Sequence, residues 1–465
     1  MTTAGSAAVR HGDDPRAETE RVAAFVDRAN WGDLSSAARE ALKIRVLDSL
    51  GCAYGALDGE PVGMVRRETD EFGGAPLCSL IGGGRTAPDR AALHNGILVR
   101  YLDYNDSYLA KGETCHPSDS LGAVLAAGEY AGASGKDLLV SLAVAYQVQC
   151  RLSDEAPLRA RGFDHVTQGA IAAAAGAAKA LRLDPRRTAN AVAIAGTANN
   201  ALRVTRTGTL SHWKGIAAPN AALNGLRAAL LAMRGITGPR EMFEGVKGWK
   251  QVLSGRFEVD WEAEDLERVR RTIVKKYNSE IHSQSAVEGM LELMKSGGFR
   301  AGEIDRIRID IFDVAYGIIG GGDEGGKTVV RSKEDADHSL PYIVAVAALD
   351  GGVTPAQYAP ERIARDDVQR LLLRVDVSPD PSLSGRFPGE LPCRLSVRLA
   401  DGRVVSKEVS AYEGFHTRPM PWSRVAGKFR SLAAPFRSRA RLDSVVQAVE
   451  GLESLTIREF TACLT

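Results

Sequence analysis

The sequence predicts a mainly α protein with a large all-helical domain and a smaller α+β domain. Its 465 residues exceed the roughly 100–200 residues of a typical domain. Before about residue 265, apolar residues recur at helical spacing in Ala-rich segments, and alternation with a period of two appears only after it. We therefore expect a helical domain over residues 1–265, an α+β domain over 266–405, and C-terminal helices over 406–465 that return to the helical domain.

The predicted helical domain begins with Asp14-Pro15, a pair typical of a helix start, and apolar residues follow at helical spacing. Ser35 or Ser36 is a typical cap for a second helix. Five further Ala-rich segments have helical periodicity: 118–131, 136–152, 168–182, 186–197 and 217–234. Because small side chains let helices approach closely, we expect tight helix packing and few strands before residue 255.

The predicted α+β domain shows strand patterns interrupted by helical ones. Three segments are candidate strands: 307–311, 371–377 and 395–399. The last of these runs into Asp401-Gly402 and then Val404-Val405, which predicts a hairpin. Helical patterns at 282–296 and 336–349 lie among the strands, and the pattern is helical again after residue 421.

Composition excludes several classes of partner. The net charge is +1, from 59 basic and 58 acidic residues, which predicts no nucleic-acid or anionic-membrane partner. The N-terminus lacks the apolar region of a signal peptide, and no run of 18 apolar residues occurs, so we expect a cytoplasmic protein. Six cysteines without a CxxC pair predict reduced thiols. The glycine-rich stretch 320–326 lacks the strand–helix context of a dinucleotide site and is expected to be a flexible loop.

The residues that can carry chemistry fall into a few polar clusters, which contain five of the eight histidines. The clusters lie at 101–119, 162–168, 196–215, 275–288 and around Tyr316 and His338. No GxSxG elbow and no HExxH motif is present. The side chains favour acid–base catalysis with carboxylate binding.

The first two clusters supply candidate acids and bases. Asp103, Ser107 and His116 crowd a segment between two helical patterns. Asp103 and His116 could ligate a metal, but a second histidine or carboxylate at helical spacing is missing, so we expect no metal. Asp164 and His165 directly precede a helical pattern, so His165 should lie near a helix N-terminus, where backbone N–H groups favour anions.

The next two clusters supply candidate cations. Arg203, Arg206 and Lys214 lie within twelve residues, and such a set suits a di- or tricarboxylate because arginine offers a bidentate fork and lysine a point charge. Lys275 and His282 lie where the composition changes. We expect them at the junction of the two domains, a common place for small-molecule sites.

Taken in this order, the clusters resemble the MmgE/PrpD family over nearly the whole chain. The most specific segments are RYLDYNDSYLAKGETCHPSD, DHVTQGAIAAAAGAAKAL, GTANNALRVTRTGTLSHWKG, GITGPREMFEG, EIHSQSAVE and ADHSLPYIVAVAALDG. The family includes iron–sulfur-independent 2-methylcitrate dehydratases, cis-aconitate decarboxylases and an iminodisuccinate epimerase. The resemblance implies a homodimer with a large helical domain and a smaller α+β lid domain.

The resemblance also implies roles for individual residues. It makes catalytic residues of Asp103, His116, His165, Lys214, Lys275 and Tyr316. Ser107 stands where the decarboxylase branch has a threonine, and Asn278 stands where the family often has a proline. Together with the clusters above, it makes substrate-binding residues of Ser107, Arg203, Arg206 and His282.

These expectations combine into one hypothesis. The chain is a cofactor-free lyase that dehydrates 2-methylcitrate, or a close tricarboxylate such as citrate, to 2-methyl-cis-aconitate. Cationic side chains bind the carboxylates and stabilise the developing charge. His116 and His165 form the acid–base pair in an order that the sequence leaves open, and Asp103 orients or charge-tunes a neighbour. The alternatives are a cis-aconitate decarboxylase producing itaconate, a dicarboxylate epimerase, and a catalytically silent binding protein.

Overall fold

The structure, a computed structural model, describes residues 16–465, so the helix start predicted at Asp14-Pro15 lies outside the described residues. From residue 16 to about 250, the described chain forms nine α-helices: α1 (Glu18–Arg28), α2 (Ser36–Gly55), α3 (Glu60–Phe72), α4 (Pro88–Tyr101), α5 (Leu121–Ala131), α6 (Gly135–Glu155), α7 (Val166–Ala180), α8 (Pro185–Ala198) and α9 (Trp213–Met233). The helical segments predicted here are confirmed, with bounds that differ by a few residues.

Close helix contacts explain the Ala- and Gly-rich composition. A Cβ atom added at Gly122 in α5 would lie 2.7 Å from the carbonyl oxygen of Ala92 in α4. A Cβ atom added at Gly225 in α9 would lie 2.6 Å from the carbonyl oxygen of Ala170 in α7. These distances leave no room for a side chain, so the helix backbones touch directly, as the small residues predicted.

Strands are short before residue 255 in the described residues. Two hairpin-like pairs of two-residue strands occur: β1 (Cys78–Ser79) with β2 (Arg85–Thr86), and β3 (Tyr108–Leu109) with β4 (Thr114–Cys115). All six cysteines are free thiols. Within residues 16–465, no helix is long and apolar enough to cross a membrane.

The second part of the chain builds one sheet with helices against it. Its strands are β5 (Ile304–Ile311), β6 (Val375–Pro379), β7 (Cys393–Leu399) and β8 (Val404–Val409), in the order β6-β5-β7-β8. β5 and β6 are parallel, and the other two pairs are antiparallel. The β7–β8 turn places Gly402 at φ 90°, a conformation that suits glycine, and confirms the predicted hairpin.

Helices of very different length accompany this sheet. They are α10 (Gln284–Gly297), α11 (Asp313–Ala315), α12 (Lys333–Ala336), α13 (Leu340–Asp350), α14 (Pro360–Ile363), α15 (Asp366–Leu372) and α16 (Pro381–Ser384). The strand predicted at 371–377 is wrong in its first half. Val368, Leu371 and Leu372 are buried at helical spacing on α15, and the strand begins only at Val375.

The C-terminal helices α17 (Trp422–Ala433), α18 (Arg439–Glu450) and α19 (Ile457–Ala462) pack against the first part of the chain. A Cβ atom added at Gly51 in α2 would lie 3.0 Å from the Cα atom of Phe429 in α17. One hydrophobic cluster joins residues 22–274 with 420–464, and we call this part the helical body. A second cluster centres on residues 277–415, which we call the lid. The domain limits at 265 and 405 stay a prediction.

Candidate active site

A small cavity lies where the helical body meets the lid. Its volume is about 40 Å³. It is lined by Arg100, Asp103, Thr114, His116, His165, Arg203, Arg206 and Lys275, and from the lid by Glu280, His282, Ile318, Glu324 and His338. Most of these side chains are ionisable, and the loops that carry them begin or end helices of both parts.

Asp103 lies at the end of α4 in a left-handed conformation. Leu102 caps the helix, and Asp103 follows with φ 53°, which is uncommon for a residue other than glycine. Its Oδ1 accepts hydrogen bonds from Arg100 Nη1 at 2.6 Å and from Lys275 Nζ at 2.8 Å. Burial alone would raise the pKa of Asp103, but the charges of Arg100, Lys275 and Lys214 hold it well below its ordinary value.

Lys214, in the first turn of α9, reaches the lid. Its Nζ lies 2.5 Å from Asp337 Oδ1, 2.9 Å from His338 Nδ1 and 3.7 Å from Asp103 Oδ2. Burial lowers the pKa of Lys214, while the Asp337 carboxylate acts in the opposite direction. Lys333 donates a hydrogen bond to the other oxygen of Asp337 at 2.9 Å.

The same three partners form the group that could hold a metal ion among the described residues. Asp103, Asp337 and His338 bring three ligand atoms within 4.8 Å of one another. The ammonium group of Lys214 contacts all three residues and already supplies a positive charge at their centre. The arrangement therefore fits a lysine held by two carboxylates and an imidazole better than it fits a divalent cation.

His116 is held in one tautomer by the backbone. Its Nδ1 lies 2.7 Å from the carbonyl oxygen of Asp106, which can only accept, so Nδ1 carries the proton and Nε2 the lone pair. The hydroxyl of Ser107 lies 3.0 Å from the same Nδ1. Burial and the charges of Arg100 and Lys275 hold the pKa of His116 well below its ordinary value.

His165 caps the N-terminus of α7 and has a carboxylate beside it. Its Nδ1 lies 2.8 Å from Asp164 Oδ1, and the other oxygen of Asp164 accepts a hydrogen bond from Arg206 Nε at 2.8 Å. Burial lowers the pKa of His165, but the Asp164 carboxylate acts in the opposite direction. Burial opposes ionisation of Asp164 as well, yet Arg206 and His165 hold its pKa well below its ordinary value.

Two lid carboxylates complete the cavity wall. Glu324 Oε1 accepts a hydrogen bond from Arg203 Nη2 at 2.6 Å. Glu280 Oε1 lies 2.7 Å from His282 Nδ1, and the other ring nitrogen of His282 lies 3.5 Å from the hydroxyl of Thr114. Burial opposes the effect, but the neighbouring His282 lowers the pKa of Glu280 to about 2.

The cavity wall is nearly balanced in charge, although the sequence predicted a strongly positive one. Four cations and three carboxylates line it, and the cations are paired with carboxylates at short distances. Three buried guanidinium N–H groups nevertheless lack a hydrogen-bond partner: Arg100 Nε, Arg203 Nε and Arg206 Nη2. Buried donors of this kind are stabilised by an acceptor, and a carboxylate is the acceptor that suits them.

Comparison with known proteins gives this arrangement a context. The profile of the MmgE/PrpD N-terminal domain matches residues 20–262, and that of the MmgE/PrpD C-terminal domain matches residues 277–452. The chain belongs to the MmgE/PrpD family.

Named relatives extend over most of this MmgE/PrpD chain. A 2-methylcitrate dehydratase of Escherichia coli (strain K12) is 29% identical over 405 residues, which cover 80% of this chain and 81% of the relative. A 2-methylcitrate dehydratase of Cupriavidus necator is 31% identical over 358 residues, covering 71% and 72%. The cis-aconitate decarboxylase of Mus musculus is 26% identical over 463 residues, covering 94% and 91%.

The MmgE/PrpD structure brings most of the sequence-predicted site residues together. Seven line the cavity: Asp103, His116, His165, Arg203, Arg206, Lys275 and His282. Lys214 lies directly behind Asp103 and His338. Ser107 lies behind His116 rather than in the cavity wall.

Tyr316 is placed apart from the other candidates. It does not line the cavity; its ring carbons lie near the Cα atoms of Gly320 and Gly322, where an added Cβ would approach within 3.0 Å. His212, in the same polar cluster as Lys214, is exposed.

Sequence reasoning missed Arg100, Thr114, Ile318 and Glu324 as cavity residues, and it left Glu280 and His338 without a role. Arg100 stands in the last turn of a helix pattern, where a basic residue is ordinary. Glu324 stands in a glycine-rich stretch that was interpreted as a flexible loop. The structure shows turns and bends over 321–324, after a π-helical turn at Tyr316–Gly320, and it buries the Glu324 side chain.

Proposed function

We propose that the chain is a lyase that dehydrates 2-methylcitrate, or a close tricarboxylate such as citrate, to 2-methyl-cis-aconitate by acid–base elimination. The observation that carries the proposal is the pair of imidazoles at the cavity, His116 and His165: burial lowers the pKa of both, but at His165 the adjacent Asp164 carboxylate opposes this effect. Buried guanidinium donors without partners beside the two rings supply places for substrate carboxylates.

The two environments assign the roles that the sequence left open. His116 donates from Nδ1 to a neutral carbonyl oxygen and faces the charges of Arg100 and Lys275, so it stays neutral with a lone pair on Nε2. Burial lowers the pKa of His165 too, but the Asp164 carboxylate at its Nδ1 opposes this, so His165 takes up a proton more readily than His116 does. Two titratable groups whose environments separate their pKa values are typical of an acid and a base. His116 is therefore the base and His165 the acid.

The reaction then needs one proton removed and one supplied. His116 Nε2 takes the proton alpha to a carboxylate, and the electrons of that C–H bond form the carbon–carbon double bond. The C–O bond of the neighbouring carbon breaks, and the departing hydroxide leaves as water with the proton from His165 Nε2. Positive charge from Lys275 and the arginines stabilises the negative charge that develops on the substrate carboxylate.

Movement of the lid on substrate entry is part of the proposal, because residues of both the helical body and the lid line the cavity. The ion pairs Lys214–Asp337 and Arg203–Glu324 join the helical body to the lid. They are buried contacts that open together with the cavity.

Product analysis tests the proposal. The protein is incubated separately with 2-methylcitrate, citrate and cis-aconitate, and the products are identified by mass. Loss of 18 mass units from a hydroxy tricarboxylate, one water, is the expected result. Absence of any product from all three acids would overturn the proposal.

A decarboxylase is the second candidate, because the mouse relative of that name covers nearly the whole chain. It would bind substrate carboxylates through the same hydrogen-bond donors, but it would protonate a carbanion after the loss of carbon dioxide. Release of carbon dioxide and itaconate from cis-aconitate would select it. An epimerase of a dicarboxylate would instead change the stereochemistry of its substrate without changing the mass.

A homodimer is part of the proposal, and an apolar surface of the helical body supports it. Leu202, Val204 and Trp213 are 60%, 69% and 48% exposed beside a groove of about 460 Å³. Exposed apolar clusters of this kind are typical of protein–protein contacts. Light scattering should give twice the chain mass, and Trp213→Asp should shift the population toward the monomer.

A further inference from the structure

Only one of the two carboxylate oxygens of Glu324 has a hydrogen-bond partner. Its Oε1 accepts a hydrogen bond from Arg203 Nη2 at 2.6 Å, and Arg159 Nη2 lies 3.8 Å from the same oxygen. Its Oε2 is buried and has no hydrogen-bond partner. Glu324 is 7% exposed and lines the cavity. A buried acceptor without a donor is costly, so a donor from the ligand would be strongly favoured there.

Hydrogen bonds and glycines fix the backbone around Glu324. Glu324 N donates to the carbonyl oxygen of Gly317 at 3.0 Å, and Gly322 N donates to that of Tyr316 at 3.1 Å. Gly321 and Gly325 have φ values of 105° and 94°, which residues with a side chain rarely adopt. The glycines therefore let the chain turn tightly enough to direct one glutamate into the cavity.

The missing partner must carry a proton. The nearest hydroxyl in the wall, that of Thr114, lies at His282 Nε2. A substrate carboxylate is ionised at neutral pH, so it offers Glu324 no proton and repels its charge. A substrate hydroxyl offers a proton to Glu324 and can still accept one from an acid through its own oxygen.

We propose that Glu324 is a specificity-determining residue that accepts a hydrogen bond from the substrate hydroxyl at Oε2 and so selects hydroxy acids. This inference rests on the proposed function and names the substrate class within it. The hydroxyl lies between Glu324 and the proposed acid His165, which donates to its oxygen as the C–O bond breaks. An unsaturated acid without a hydroxyl leaves the Glu324 oxygen unpaired and binds more weakly.

Two ligands that differ by one hydroxyl test this inference. Citrate and tricarballylate share a carbon skeleton and three carboxylates, and only citrate has the hydroxyl. Calorimetry on the wild-type protein should show citrate binding more tightly by about tenfold or more, as a hydrogen bond to a charged group allows. In Glu324→Met this preference should fall to about threefold or less, because the acceptor is gone and Arg203 is free for a carboxylate.

The control and a second variant keep the test decisive. Asp323→Asn removes the same charge from the neighbouring, exposed position and should keep the wild-type preference. Glu324→Leu also removes both carboxylate oxygens and leaves no donor that could bind the hydroxyl instead. Its preference should fall too, and it serves if Glu324→Met does not fold.

Three outcomes overturn the inference. The role of Glu324 is refuted if the wild-type protein binds the two acids equally, or if the Glu324 variants keep the wild-type preference. Neither outcome refutes the proposed function. If the wild-type protein binds neither acid, the tricarboxylate pocket of the proposed function falls together with the inference. The readout is binding, so the comparison can be made when the protein turns over neither ligand.

Discussion

The imidazole rings of His116 and His165 lie edge to face, with an interplanar angle of 70° and their centroids 5.4 Å apart. His116 stands before a 3₁₀ turn, Pro117–Ser120, that leads into α5, and His165 stands at the start of α7. The contact therefore joins two helix starts at one cavity. It places a histidine with a neutral partner against one with a charged partner, and several predictions depend on that difference.

Removal of the proposed acid should abolish most turnover. We expect His165→Ala to lower kcat by about 10²–10⁴-fold, because one positioned acid or base contributes that much. Steady-state kinetics measure the loss, and circular dichroism checks the fold. The matched control is His94→Gln, which alters another buried histidine, in α4 and outside the cavity wall. A His165→Ala protein with normal kcat would show that another group supplies the proton.

The carboxylate beside His165 should set the alkaline limb of the pH profile. His165 acts as an acid only while protonated, so kcat/KM falls as the pH rises through its pKa. Asp164 raises that pKa, so its removal lowers it. We expect Asp164→Asn to move the alkaline limb of kcat/KM to lower pH. Asp184→Asn, at the surface cap of α8, should leave the limb in place, and an unshifted limb in Asp164→Asn would count against the assignment.

A buried carboxyl behind the cavity should make the protein less stable as the pH rises. Burial raises the pKa of Glu113 to about 7 from the ordinary 4.5, although Arg203 acts against it. Between those two values the folded protein holds a proton that the unfolded chain has released, so the free energy of unfolding decreases with rising pH. Glu113→Gln should remove this decrease and stabilise the protein at pH 8 by roughly 1–3 kcal/mol.

Urea denaturation at pH 4.5 and pH 8 measures the effect of Glu113→Gln. The neutral amide keeps an oxygen for the N–H groups of Leu158 and Arg159, which Glu113 now binds at 3.1 and 3.0 Å. Glu68→Gln, on the exposed side of α3, is the control and should change stability little at either pH. A variant that is less stable than the wild type at pH 8 would refute the argument.

The C-terminal helices should contribute to catalysis through Lys428 in α17. Its Nζ donates to the carbonyl oxygens of Tyr104 at 2.8 Å and of Lys275 at 3.0 Å, and it pairs with Asp48 Oδ1 at 2.7 Å. Lys428 thus fixes the backbone next to Asp103 and at Lys275. We expect Lys428→Met to lower kcat by about tenfold or more, because small displacements of reacting groups are costly.

Lys428→Met also leaves the buried Asp48 unpaired, which costs about 3–5 kcal/mol of stability. The double variant Asp48→Asn with Lys428→Met removes both charges and should regain much of that stability without regaining kcat. Kinetics and denaturation of the two variants separate positioning from stability. A double variant with wild-type kcat would leave Lys428 with a structural role only.

Chelation should leave the activity intact. Among residues 16–465, the group of three ligand atoms that could hold an ion surrounds the ammonium of Lys214. We expect full activity after exhaustive dialysis against a chelator, with metal content followed by mass spectrometry. Loss of activity that one divalent cation restores would contradict the cofactor-free hypothesis.

The fold was predictable where local pattern and tertiary packing agree. The Ala-rich helices α5 to α9 follow the periodicity of the sequence because each packs one face or more into the helical body. The strand prediction for 371–377 failed in its first half because a helix end and a strand start share one apolar run. Burial of Leu371 and Leu372 in the lid core favours the helix there. The two-residue strands β1 to β4 have too few residues to produce a pattern.

The site was predictable where residues with unusual chemistry cluster in the sequence. Four residues that line the cavity meet this condition: His116, His165, Arg203 and Arg206. Glu324 did not, since its importance comes from a contact with Arg203, 121 residues away along the chain. The near-neutral charge of the cavity wall could not be predicted from the sequence either. It depends on ion pairs between the helical body and the lid, and the sequence does not contain the distances between those groups.

The hydrogen bond of 3.0 Å from Val274 N to the carbonyl oxygen of Gly414 holds together the two segments through which the chain enters and leaves the lid. The lid is thus an insertion with adjoining ends, and it could be exchanged as a module between related proteins. Such a chimera would carry Glu324 and Glu280 with the lid and leave His116 and His165 behind in the helical body. Under the proposed roles, substrate choice and proton transfer would therefore be separable by recombination at two neighbouring crossover points.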